Sequence, residues 1–161
     1  MLKLSSGVIQ YVGRQVDYLA FDDAKASGDT LLTQSMVSSN ESGALIAGIQ
    51  KLVQRFLIEL LTGAGSLTYL PDRGTLLMPR LNAGLIRTTQ DLFSAFNEAA
   101  KSAVASLAAE ETETDPDDER IESVSLLSAS LLGDTAVLNI SITSLAGEEL
   151  TVLYPLRVSA I

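Results

Sequence analysis

The feature that most constrains this chain is a change of hydrophobic period partway along it. In two stretches, 44–62 and 88–109, apolar residues recur every three or four positions; from about residue 120 onward they recur every second position. The first spacing lines one face of an α-helix, and the second lines one face of a strand. The two regimes in succession predict an α+β chain, with helices first and sheet after.

In the first stretch, Leu45, Ile49, Leu52, Val53, Phe56, Leu57, Leu60 and Leu61 form the apolar stripe, and Gln50, Lys51, Gln54, Arg55 and Glu59 fall mainly on the other side. Asn40 is the expected N-cap and Gly63 the expected helix stop. Residues 63–84 carry Gly63, Gly65, Pro71, Gly74, Pro79 and Gly84, too many breakers for one continuous helix. The second helix, 88–109, is capped by Thr88 or Thr89 and is rich in alanine, a strong helix former. An acidic run at 110–119 then ends it, through like-charge repulsion and Pro116, and is expected to be a solvated connection.

Beyond the run, Val124 and Leu126, then Ala136, Leu138, Ile140 and Ile142, then Leu150, Val152, Tyr154, Leu156 and Val158 alternate with other residues, with turns at Gly133-Asp134 and Ala146-Gly147. This predicts a three-stranded antiparallel β-meander. Pro155 lacks an N–H, which places the last strand at an edge. The predicted organisation is an extended N-terminal segment, 1–42, and a single α+β domain, 43–161, with two main helices packed on the meander.

Composition removes several classes of chemistry. The chain has no Cys and no His, which excludes disulfides, thiolate and imidazole metal sites, and Ser-His or Cys-His catalysis. Net charge is −9; taking away the seven acids of 110–119 leaves −2 for the rest. A chain without a clustered basic surface is not expected to bind nucleic acid. No window approaches the length of a membrane span, and the N-terminus has no apolar core of signal-peptide length, so a soluble protein with no membrane partner is expected.

The remaining candidates for catalysis are carboxylates: Asp22, Asp23, Glu59 and the acidic run. A pair of them is the minimal machinery for glycoside hydrolysis. Adjacent aspartates on an extended chain point apart, and a dense acidic run does not hold a raised pKa. Gly63-Ala64-Gly65-Ser66 follows a helix and lacks the Lys of a phosphate-binding loop. The acidic run lacks the ordered ligand spacing of a calcium loop. The expectation is a non-enzyme with no catalytic residue, no metal and no cofactor. The alternative is a peptidoglycan-degrading glycoside hydrolase.

The run Ile49 to Ser66, with Gln54 and Arg55 on the helix and a Leu-Thr62-x-x-Gly65 exit, leads into Tyr69-Leu70-Pro71-Asp72-Arg73-Gly74. This string resembles the W-like baseplate wedge proteins of contractile phage tails, and the related type VI secretion baseplate subunit TssE. The resemblance covers roughly 17–158 and includes the order of elements. The family's Glu-Pro-Arg motif before its first strand is matched by Asp118-Glu119-Arg120-Ile121, with Glu119 standing where the family has Pro. The family has carried a lysozyme label, but no residue here supports that activity. The resemblance implies a structural subunit of the virion tail baseplate, assembled in the host cytoplasm. Its implied partners are other wedge subunits, the tail sheath protein, and the central hub or spike and tube proteins. The implied contact residues are Asp118, Glu119, Arg120 and Ile121, together with Val152, Tyr154 and Leu156 on the last strand, taken as an exposed sheet edge.

Overall fold

The alternating and helical patterns condense into one sheet with helices packed on it. The computed structural model describes residues 14–18, 21–26, 29–34, 45–133 and 135–157, the segments 21–26 and 29–34 by their backbone course. In chain order these are β1 (Asp17–Tyr18), β2 (Phe21–Ala26), β3 (Asp29–Gln34), β4 (Leu45–Ile46), α1 (Ile49–Leu61), α2 (Leu77–Asn82), α3 (Thr89–Glu110), a 3-10 turn (Asp117–Glu119), β5 (Ile121–Leu132), β6 (Thr135–Ser144) and β7 (Glu149–Arg157). The predicted Asn40 cap and Val158 lie outside the described residues.

The antiparallel meander β5-β6-β7 is present, and α1 and α3 pack on it, as the change of period requires. Leu138, Ile140 and Ile142 of β6 and Val152, Tyr154 and Leu156 of β7 meet Leu52, Phe56, Leu57 and Leu60 of α1 and Leu92, Phe96, Ala103 and Leu107 of α3 in one core. With no Trp and only four Phe in the chain, Phe56 and Phe96 are its largest fully buried side chains. Truncating either to Ala removes about 3–5 kcal/mol.

Four local expectations are corrected. First, α1 begins at Ile49, not residue 44, because Leu45–Ile46 pairs with Asp17–Tyr18 as a short antiparallel ladder. Second, Gly63 is not a left-handed helix stop. The cap is Thr62 in an extended conformation, and Gly63 instead bridges Thr75. Third, the punctuated stretch contains a short helix, α2. Its Pro79 is tolerated because the first helical turn needs no N–H donor. The second helix was read correctly at its start. Thr88 accepts from the Asp91 N–H at 3.1 Å, and Asp91 accepts from the Thr88 N–H at 3.0 Å, a reciprocal capping box.

The fourth correction concerns the sheet. Its order is β2-β3-β7-β6-β5, so β7 is an inner strand and the edges among the described residues are β2 and β5. The N-terminal segment therefore contributes a hairpin, β2-β3, to the sheet, with β3 parallel to β7. Pro155 fits an inner position because the β3–β7 register is confined to Leu31 opposite Leu153, short of Pro155. Its missing N–H interrupts no longer ladder.

Candidate functional site

A buried carboxylate organises each end of α1, Glu119 from another element at its start and the helix's own Glu59 near its end, and these two clusters contain most of the residues singled out in the sequence. At the start of α1, Gly48 is the N-cap and offers no side chain to the free N–H groups of the first turn. Glu119, 4% exposed, supplies the missing acceptor: its Oε1 takes the Gly48 N–H at 3.1 Å, and its Oε2 takes Lys51 Nζ at 2.6 Å. A carboxylate here also meets the positive end of the helix dipole. Gly48 is at φ 64°, a conformation that favours glycine, and a Cβ on it would lie 2.9 Å from Asp118 Oδ2 and displace that carboxylate.

The same junction clips residues 14–18 to the body. Asp118 Oδ2 accepts from Arg14 Nη1 at 2.5 Å, and this hydrogen bond raises the Arg14 pKa above its ordinary value. Lys51 Nζ donates to the Gln15 carbonyl at 3.1 Å. The buried Gln54 amide donates to the Tyr18 carbonyl at 2.8 Å and to Asp17 Oδ2 at 3.2 Å. Ile121 is buried, and its N–H reaches Glu111 Oε1 at 2.8 Å. The Arg120 and Asp117 carbonyls accept from Leu145 and Ala146, which fastens the junction to the β6–β7 turn.

The acidic run is thus not a purely solvated connection. Glu110, Glu111, Asp118 and Glu119 are all engaged, while Thr112 to Thr114 remain exposed. Of the four junction residues expected to meet a partner, Glu119 and Ile121 face inward and Asp118 holds Arg14. Arg120 is the one left partly exposed: its Nη1 lies 3.3 Å from Asp117 Oδ1, and its buried Nε has no acceptor among the described residues. Val152, Tyr154 and Leu156 are core residues of an inner strand, which removes them as contact residues. Burial also pushes the Tyr154 hydroxyl pKa up.

At the other end of α1, Glu59 is 2% exposed. Its Oε2 accepts from Arg73 Nε at 2.8 Å and lies 2.7 Å from Nη2 of the same guanidinium, and its Oε1 accepts the Gly74 N–H at 2.9 Å. Arg73 also pairs with Glu110, which Arg55 approaches at 3.7 Å. Gly74 is at φ 91°, and a Cβ there would lie 2.6 Å from the Thr62 carbonyl oxygen. Thr75 Oγ1 donates to the Leu60 carbonyl at 2.6 Å, and Thr62 Oγ1 to the Ile58 carbonyl at 2.7 Å. The resemblance residues Gln54, Arg55, Thr62 and Gly74 are therefore architectural, while Gly65 and Pro71 sit on the exposed loop between.

Glu59 and Glu119 are the buried carboxylates of the described residues. Each faces a cation and a backbone N–H, the surroundings of a structural ion pair and not of the apolar pocket that makes a carboxyl a general acid. Among the described residues no group of three or more acids is gathered as a metal site, and no helix is long and apolar enough to cross a membrane. The periodicity placed Glu59 with the solvent face because it flanks the stripe. Its signal was an acid beside Leu60 followed, across the loop, by Arg73-Gly74. No protein-family model, curated protein or solved structure matches the chain.

Proposed function

We propose that this chain is a structural wedge subunit of a contractile phage tail baseplate. In that role it joins neighbouring wedge subunits around the central hub and gives the first ring of sheath protein a sheet to build on. The resemblance at Ile49 to Gly74 and at Asp118 to Ile121 motivates the reading, and the observation that carries it is the free edge of β5. This strand is 12 residues long and pairs on one side only among the described residues. Monomers blunt such edges with Lys, Pro, inward charges or bulges, and β5 uses only the last of these. Here Ile121 to Leu132 contains a single charge, Glu122, and neither Lys nor Pro. The opposite edge, β2, carries three charges in six residues. Register shifts at Ile121/Ser123 and Leu126/Ser128 give β5 a local twist that an incoming strand has to match. Main-chain bonds would then supply affinity, and outward residues such as Leu127 would set register.

In this reading the partly exposed Arg120 guanidinium, held only loosely by the exposed Asp117 at 3.3 Å, supports a contact beside that edge. The experiment is electron microscopy of tails made without this protein. The proposal expects baseplates that fail to close and tubes without attached sheath; normal contractile tails would refute it.

A further inference from the structure

The loop between α1 and α2 is a second exposed apolar feature that neither the sheet edge nor the junction explains. Positions 64–72 are exposed without a break. Within them Tyr69 is 95% exposed, Leu70 54% and Leu67 43%. A Cβ on Gly65 would meet nothing within 4 Å, so the loop is open to its surroundings at that position. Single exposed apolar residues are ordinary on a protein surface. Three within four positions on a projecting loop form a patch of the kind that marks contact sites.

This loop is built to hold its shape. Its base is closed by Ala64 N–H to the Thr75 carbonyl and Thr75 N–H to the Thr62 carbonyl, both 2.8 Å. Two inner turns follow, Leu70 N–H to the Leu67 carbonyl and Arg73 N–H to the Leu70 carbonyl, both 3.1 Å. Glu59 fixes Arg73 and Gly74 from below, and Pro71 restricts the tip. The ordering cost is met on folding, so little remains to be lost on binding.

We propose that Leu67, Tyr69 and Leu70 form a preorganised apolar knob that inserts into a concave, apolar, basic-rimmed pocket of a different baseplate protein. This deepens the wedge-subunit reading and rests on it. Tyrosine on a rigid support is a favoured anchor because it buries a large ring with few rotamers to freeze. Charge selects the occupant. Asp72 lies exposed beside the knob, while the adjacent Arg73 is taken up by Glu59 and Glu110. The knob thus offers an acid and no free cation of its own. An anionic lipid surface and the like-charged knob of a second copy are both repelled, whereas a basic rim is attracted.

The test places a benzophenone photo-cross-linker at position 69 in chains assembled into tails. The expected result is one adduct, to a different tail protein, through a peptide with apolar residues and nearby Lys or Arg. An adduct to a second copy, to lipid, or none at all from tails that contain the chain overturns the knob alone. Absence of the unmodified chain from tails overturns the wedge reading and the knob's partner together. In parallel, Tyr69→Ser leaves thermal unfolding unchanged and lowers incorporation into tails on the order of thirty-fold, the loss of a typical anchor. Tyr69→Phe restores most of it. Unchanged incorporation of Tyr69→Ser refutes the anchor.

Discussion

Replacing Glu59 with Ala should be among the most damaging single changes to this chain outside its apolar core. The carboxylate accepts two hydrogen bonds, from Arg73 Nε and the Gly74 N–H, and forms an ion pair with the Arg73 guanidinium. Removing it leaves that buried N–H without an acceptor, a loss of about 1–3 kcal/mol. It also breaks a buried ion pair, for which about 3–5 kcal/mol is usual. The second figure has to be reduced, because the Arg73 side chain is 26% exposed and keeps Glu110. Together these give about 3 kcal/mol, against a total stability on the order of 5–15 kcal/mol. Urea unfolding followed by far-ultraviolet circular dichroism should show a midpoint lower by about 1.5 M, at a slope of about 2 kcal/mol per M. Glu59→Gln keeps an acceptor for Gly74 and should lose about half as much. A double-mutant cycle with Arg73→Ala should return a coupling above about 1 kcal/mol. A loss below about 1 kcal/mol for Glu59→Ala, or equal losses for Ala and Gln, would refute the assignment of Glu59 as the clamp of the loop.

Gly74→Ala forces a Cβ to 2.6 Å from the Thr62 carbonyl at a backbone angle unfavourable to alanine, and should cost more than about 2 kcal/mol, with hydrogen exchange rising first in 64–76. Glu119→Ala should cost about 3 kcal/mol, whereas Arg14→Ala, which breaks a half-exposed pair, should cost under about 1 kcal/mol; comparable denaturation midpoints for the two variants would contradict the ranking. Tyr154 has a raised pKa in the folded chain, so above about pH 10 the unfolded chain loses this proton first and stability falls as pH rises further. Tyrosinate absorbance should accordingly show one of the four tyrosines ionising late, and a single common transition would argue against its burial. Arg120→Ala should fold with stability within about 1 kcal/mol of the parent, because its ion pair among the described residues is with the exposed Asp117, yet assemble poorly; unfolding in isolation would make its role internal.

The apolar periods made the core legible. Helical spacing identified α1 and α3, and alternation identified β5, β6 and β7, because both signals come from residues that must face one another. Polar residues carried no comparable signal. Gln54, Glu59 and Glu119 are ordinary surface types, and their burial depends on partners 14 to 71 residues away in sequence. The position of β7 was misread for a related reason. Pro155 reports that one N–H is missing, but not that the neighbouring ladder stops at Leu153, short of Pro155. The N-terminal hairpin was hidden because Phe21 to Ala26 and Asp29 to Gln34 have too few alternating apolar residues to announce strands. The acidic run was read from its charge density alone, yet its two ends are docked by specific cations and N–H groups while its middle is exposed.

The proposed wedge role stands or falls on whether the β5 edge takes a partner strand in a tail baseplate. Cryo-electron microscopy of the tail tip tests this directly. The expected result is this chain in the baseplate wedge with the Ile121–Leu132 strand paired to a strand of a neighbouring tail protein. A tail tip lacking the chain, or one in which that edge faces solvent in every copy, would contradict it.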